Sequence, residues 1–191
     1  MPLLGYDARI ATCILLSIQG WIMPSFRVAH PIAYIRQPSQ NDCWAAATAM
    51  ARGRRSGTHL MVSDVKRIAA RNRVAVNANG SLPANNLTNT TRLASALGMR
   101  CRDVRVGALA SLTLERMRTF LERGRLALFG FFDFPRASLN HVITIYRMYG
   151  DGTPRGTTIS VVDPYVGRAQ NFDWEWFDQS IMADPHFIIS P

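Results

Sequence analysis

Lysine is all but missing from this 191-residue chain: of its 22 basic residues, 21 are arginine and only Lys66 is lysine. Against 13 Asp and Glu they leave a formal charge of +9. A balance of that sign admits a nucleic-acid or anionic-membrane partner. The arginines are scattered, however, with no run longer than Arg54-Arg55. Arginine used throughout in place of lysine is what a GC-rich genome produces, so charge alone assigns no partner. Cysteine is scarce too. Cys13, Cys43 and Cys101 are too few and too far apart for a disulfide scaffold. There is no Cys-x-x-Cys or His-Glu-x-x-His, and His30, His59, His141 and His186 form no close cluster, which argues against structural zinc.

No apolar run reaches the roughly 20 residues that a membrane-spanning helix requires. The longest, residues 10–23, is interrupted by Thr12, Ser17, Gln19 and Gly20. It admits three readings: a signal-peptide core, a buried amino-terminal helix, or an extension from a misassigned start codon. Pro24, Pro31 and Pro38 break the next stretch of chain into extended pieces. The expected division is an extension or leader over 1–28 and one catalytic domain over 29–191. With 48% apolar and 18% charged residues, that domain can bury a real core.

Residues 32–37 read as a short strand or extended lead-in, ending in the polar turn 38–42. From Cys43 the run CWAAATAMAR is rich in Ala and Met, strong helix formers, and Gly53 stops it. Asn41 or Asp42 is placed to cap this helix. Further helices are expected over 63–71, capped by Ser63, over 91–97, and over 113–123, capped by Thr113. The Asn-rich stretch 72–90 reads as a loop. Strands are expected over 99–106, 125–132, 141–148, 157–162, 168–172 and 187–189, from their period of two. Helices first and an antiparallel sheet afterwards make an α+β domain.

Cys43 stands where a polar loop meets the Ala-rich helix. Free backbone N–H groups and the helix dipole favour a thiolate there. On its own a free cysteine is more often a small buried hydrophobe. Attack on an amide also demands a base, a group that orients it, and oxyanion donors. Gln37, six residues earlier, can offer its carboxamide N–H₂ beside the Cys43 N–H. Gln40 is the rival for that role.

The base and its partner are read from a hairpin. His141 opens the strand HVITIYRM and Asp163 ends TTISVVD, with the turn centred near Gly152. That register pairs Ile145 with Ile159, Ile143 with Val161, and His141 with Asp163, all on one face. The aliphatic pairs are then core, and the carboxylate fixes the imidazole tautomer. Other residues carry blander readings. His59 is a competing base close to Cys43 in sequence, while His30 and His186, beside prolines, read as surface residues. Trp44 reads as structural, and Trp174-Glu-Trp-Phe177 as core or groove lining. Asp133 and Glu175 have no visible partner, and Cys13 and Cys101 read as inert.

With these residues in place, the pattern resembles the papain-like cysteine peptidases. The matching pieces are Gln37-Pro-Ser-Gln-Asn-Asp-Cys43-Trp-Ala-Ala46, Asn140-His-Val-Ile143 and Val161-Val-Asp-Pro164. Asp163-Pro-Tyr-Val-Gly167 and the aromatic run Phe172 to Phe177 are similar to the small bacterial branch, which includes the type III effector proteases of plant pathogens. The double-glycine leader peptidases of bacteriocin exporters are more distant. The Gly-Ser-Cys context of plant and lysosomal members is absent, so their preferences do not carry over.

The resemblance implies a papain-like fold, with the nucleophile helix packed on an antiparallel sheet. It assigns Cys43 as nucleophile, His141 as base, Asp163 as orienting residue and Gln37 as oxyanion donor. It implies a protein or peptide substrate, no metal or organic cofactor, no nucleic acid, no stable membrane insertion and a monomer. The implied localisation is secreted, into a host or competitor cell, or else cytoplasmic. Two alternatives stay open: an amidase, deamidase or transglutaminase-type acyl transferase on the same residues, and a non-catalytic basic binding module.

Overall fold

The computed structural model describes residues 25–53, 59–83, 86–104, 112–132, 139–181 and 186–191. The expectations for residues 10–23, Cys13 and Asp133 lie outside them. Among the described residues no helix is long and apolar enough to cross a membrane. The strands there are β1 (Phe26–Ala29), β2 (Arg100–Asp103), β3 (Leu126–Phe132), β4 (Leu139–Gly150), β5 (Thr157–Asp163), β6 (Arg168–Asp173) and β7 (Phe187–Ser190). They form one antiparallel sheet in the order β2-β7-β3-β4-β5-β6, with β1 joined to β4. The 12-residue β4 is its spine. β5 pairs along it, while β3 pairs with the first part and β1 with Arg147–Gly150.

The helices that pack on this sheet are α1 (Cys43–Arg52), α2 (Val62–Arg71), α3 (Leu87–Ala96), α4 (Leu114–Glu122) and α5 (Trp174–Ser180). Alternation along the strands sorts the core in two. Ala127, Phe129, Val142, Phe187 and Ile189 pack with α1, α2 and α3. Leu126, Leu128, Ile143, Ile145 and Ile188 pack with α4 and α5 on the other side. Five alanines of α1 are at most 2% exposed. With nothing beyond Cβ, they let the helix backbone approach the sheet closely. Thr144 Oγ1 on β4 therefore reaches the Ala47 carbonyl at 3.0 Å, a direct tie between helix and strand.

The α+β class and the packing of the Cys43 helix on an antiparallel sheet are as the sequence indicates. Several boundaries differ for local reasons. α3 begins at Leu87 because the Asn86 side chain accepts from Asn89 N, taking four residues from the expected loop. α2 is closed by Asp64 Oδ2 accepting from Met61 N, not by Ser63. β1 begins at Phe26, three residues before the expected start of the domain, and residues 32–37 form no strand, which leaves the reading as a lead-in. The sequence shows α5 only as an aromatic cluster; Asp173 caps it, Trp174 and Phe177 enter the core, and Trp176 stacks on Phe172 at 4.5 Å.

Three single-residue expectations are also corrected. His186 is fully buried rather than at the surface, with its ring where a Cβ on Gly130 would stand. His30 is half-buried, with Nε2 2.6 Å from the Leu121 carbonyl. Glu175 does have a partner, Arg155, at 2.9 Å.

Candidate active site

Asp42 holds the position before α1, as expected, but its side chain does not cap the helix. The buried carboxylate turns instead to Lys66 on α2, 2.8 Å away, while its main-chain oxygen accepts from Ala45 and Ala46. Asn41 does not cap either; its Nδ2 donates to the Asn79 carbonyl. The first N–H groups of a helix have no intrahelical partner. Without a side-chain cap, those of Cys43 and Trp44 stay available beside the half-buried thiol. Trp44 is buried and donates Nε1–H to the Gly80 carbonyl, so the helix start is pinned to the Asn-rich loop.

His141 near the start of β4 and Asp163 at the end of β5 meet at one end of the sheet, with His141 Nε2 2.7 Å from Asp163 Oδ1. The register differs from the expected one. Ile145 pairs with Val161 and Thr144 with Val162, and a bulge between Ile145 and Arg147 shifts the turn half of the hairpin. On the turn side the ladder lies three residues from the expected register, and the bulge takes one back, so at the His141 end it lies two residues off and the two residues are diagonal neighbours rather than directly opposed. An even offset keeps the same face, and diagonal pairs remain within reach of longer side chains. Ile143, Ile145, Ile159 and Val161 are core, as expected.

Asp163 is fully buried, and its Oδ1 also accepts from Tyr165 N at 2.8 Å. The turn behind it closes through Gly167 N donating to the Asp163 carbonyl at 2.7 Å. With Nε2 committed to Asp163, the other ring nitrogen of His141 is left for Cys43, which acts on the imidazole and favours its protonated form. Burial opposes the imidazolium. The hydrogen bonds to Asp163 and Cys43, and their negative charge, outweigh it and raise the His141 pKa from 6.5 to about 9.

Gln37 is buried, and its backbone N–H donates to the Pro164 carbonyl at 2.9 Å. The strap before Cys43 is thus tied to the turn that carries Asp163. The carboxamide is differently employed from the sequence expectation. Nε2 donates to the carbonyls of Ser39 at 2.8 Å and Gln40 at 2.9 Å, while Oε1 is buried without a partner. Two carbonyl neighbours identify that end of the amide as the N–H₂. Both hydrogens are therefore spent on the turn. Gln40 is exposed and contributes only its carbonyl.

The structure brings Cys43, His141 and Asp163 together and sets Gln37 against the same turn. Lys66 and Thr144 are not visible as site residues in the sequence. Lys66, as the only lysine, is a compositional signal without a partner to point at, and Thr144 shows only as a polar residue inside an apolar strand.

The profile of the family described as papain-like cysteine protease AvrRpt2 matches residues 26–182. The chain belongs to this family. No curated protein matches it. Among solved structures, the protease resembles UfSP from C. elegans at a TM-score of 0.54 and 14% identity. That match covers 93% of this chain and 36% of UfSP, so the chain spans about a third of that protein's length. It also resembles a double glycine motif protease from an AMS/PCAT transporter, solved in complex with the leader peptide, at a TM-score of 0.50 and 18% identity. There 85% of this chain and 94% of the other are covered. At these identities the two structures speak for the fold, and the family match makes the chain a papain-like cysteine protease. Cys101, the other described cysteine, has its thiol pKa raised by burial, with Asp103 adding to the effect and a hydrogen bond to Thr91 opposing it.

Proposed function

We propose that this protease cleaves peptide bonds with Cys43 as nucleophile, His141 as base and acid, and Asp163 as the residue that orients the imidazole. The observation that carries the reading is the His141 ring, held by Asp163 Oδ1 at 2.7 Å with its proton affinity raised by Asp163 and Cys43 together. With its proton already held on the His141 imidazole, the Cys43 thiolate attacks the peptide carbonyl carbon. The oxyanion is received by the uncapped N–H groups at the start of α1, with the Gln37 carboxamide as a second donor once the 38–42 turn releases it. His141 protonates the leaving amine and the C–N bond breaks. Water, deprotonated by His141, then attacks the thioester and frees the acid and the thiol.

The substrate in this reading is an extended peptide or protein segment. Family membership further supports a secreted bacterial effector acting on proteins of a host or competitor cell. Detection of the tagged protein inside recipient cells tests that part. For the chemistry, a peptide library incubated with the protease should yield new amino termini, and Cys43→Ala should yield none while keeping the circular dichroism of the parent. Ammonia release without new termini would replace peptidase action by amidase or deamidase action on the same residues.

A further inference from the structure

At the far end of α1 from Cys43, a cleft of about 450 Å³ lies between the C-terminal ends of α1, α3 and α4. Arg52, Arg123, Arg125 and His30 line it, with no acidic side chain among the described residues of its wall. The positive charge continues onto β2 and α4. Arg100 and Arg102 share one face of β2, and Arg116 and Arg123 fall on the Phe120 stripe of α4. The Arg102 and Arg116 guanidiniums both lie over the Phe120 ring, 5.0 and 5.5 Å from its centroid. Among the described residues none of these six arginines forms an ion pair, and burial together with Arg123, Arg100 and Arg116 lowers the Arg102 pKa.

Capping of helix ends does not account for so much charge. Arg52 Nε donates to the Leu97 carbonyl at 3.0 Å, and Arg125 Nη1 to the Pro31 carbonyl, each leaving most donors of its guanidinium without a partner among the described residues. At the cleft, three helix C-termini supply roughly −1.5 charges in all, against three guanidiniums and the further arginines of the β2–α4 face, where Asp103 and Glu115 are the nearby acids. The excess is carried by arginine, whose planar fork fits phosphate oxygens two at a time. Its concave setting suits a compact ligand of dense charge better than a flat membrane or a strand of carboxylates.

We propose that this cleft and the adjoining β2–α4 arginines form an exosite for a small, multiply phosphorylated anion. The site is independent of the Cys43 chemistry. Calorimetric titration of the full chain with inositol hexakisphosphate at 0.15 M salt tests it. The expected result is one-to-one binding that weakens roughly tenfold or more in Arg123→Gln, the loss of a charge-assisted bond pair. Arg118→Gln, whose parent guanidinium is paired with Glu122, should bind as the parent does. On the unmutated protein, the ligand should also protect Arg52 and Arg123 from phenylglyoxal. Unchanged binding in Arg123→Gln, no protection, or tighter binding of polyglutamate or phosphatidylserine vesicles than of the hexakisphosphate would overturn the proposal.

Discussion

The His141 imidazole is where residue-level physics governs activity. Its folded pKa of about 9 lies above the ordinary 6.5, so it is a cation at neutral pH and carries the proton that the leaving amine needs. The alkaline limb of the kcat/KM profile should therefore fall near pH 9. Asp163→Asn removes the negative partner that helps hold the proton, so that limb should move to lower pH. The rate should fall less than in His141→Ala, where loss of the base itself costs roughly 10²–10⁴-fold. A limb that stays in place in Asp163→Asn would dissociate Asp163 from the imidazole. The linkage runs in the same direction for stability. A group whose pKa is raised on folding stabilises fully below its unfolded value near 6.5 and loses that contribution as pH passes through about 9.

Elements hold these residues in register. The Thr144 hydroxyl tie to Ala47 joins β4 to α1 three residues past His141. Thr144→Val keeps the shape but removes this bond, and since the Ala47 carbonyl keeps its partner within the helix the cost is about 1 kcal/mol of stability. Because the tie sets the spacing of Cys43 and His141, kcat should drop while KM stays near the parent value. The turn behind Asp163 is equally constrained. Gly167 has φ +72°, and a Cβ there would stand 2.8 Å from Arg36 Cβ. Gly167→Ala should cost about 1–2 kcal/mol in strain, read as a lowered thermal midpoint, and should loosen Asp163 and reduce kcat.

At this scale the sequence is legible where chemistry and period agree. The Cys43 helix, the Thr113 cap and the strands of the hairpin are all where their residues place them. The β4–β5 register lies two residues from the expected one at the His141 end, because the turn is centred beyond Gly152 and the one-residue bulge between Ile145 and Arg147, which leaves no mark in the alternation, takes back only part of that shift. The Asp42 carboxylate and the Gln37 carboxamide depart from expectation for another reason. Asp42 is drawn from the helix start by Lys66, a partner that only the fold supplies, and Gln37 from the Cys43 N–H by the nearby carbonyls of Ser39 and Gln40.

For the molecule as a whole, one sheet with a core on each face carries the site at its end. The β3–β7 side of that sheet depends on a close approach. A Cβ on Gly130 would fall 1.9 Å from His186 Cδ2, inside a fully buried ring. Gly130→Ala should therefore destabilise the whole fold by about 3 kcal/mol, at the upper end for overpacking, with the thermal midpoint of the intact domain as the readout. The central claim, an activated thiol–imidazole pair at Cys43, is tested most directly by iodoacetamide alkylation of the native protein from pH 4 to 9. Peptide mass spectrometry separates the cysteines. Rapid modification of Cys43 well below pH 8 is predicted, abolished in His141→Ala, with Cys101 slow throughout. Cys43 reacting no faster than Cys101 would contradict the claim.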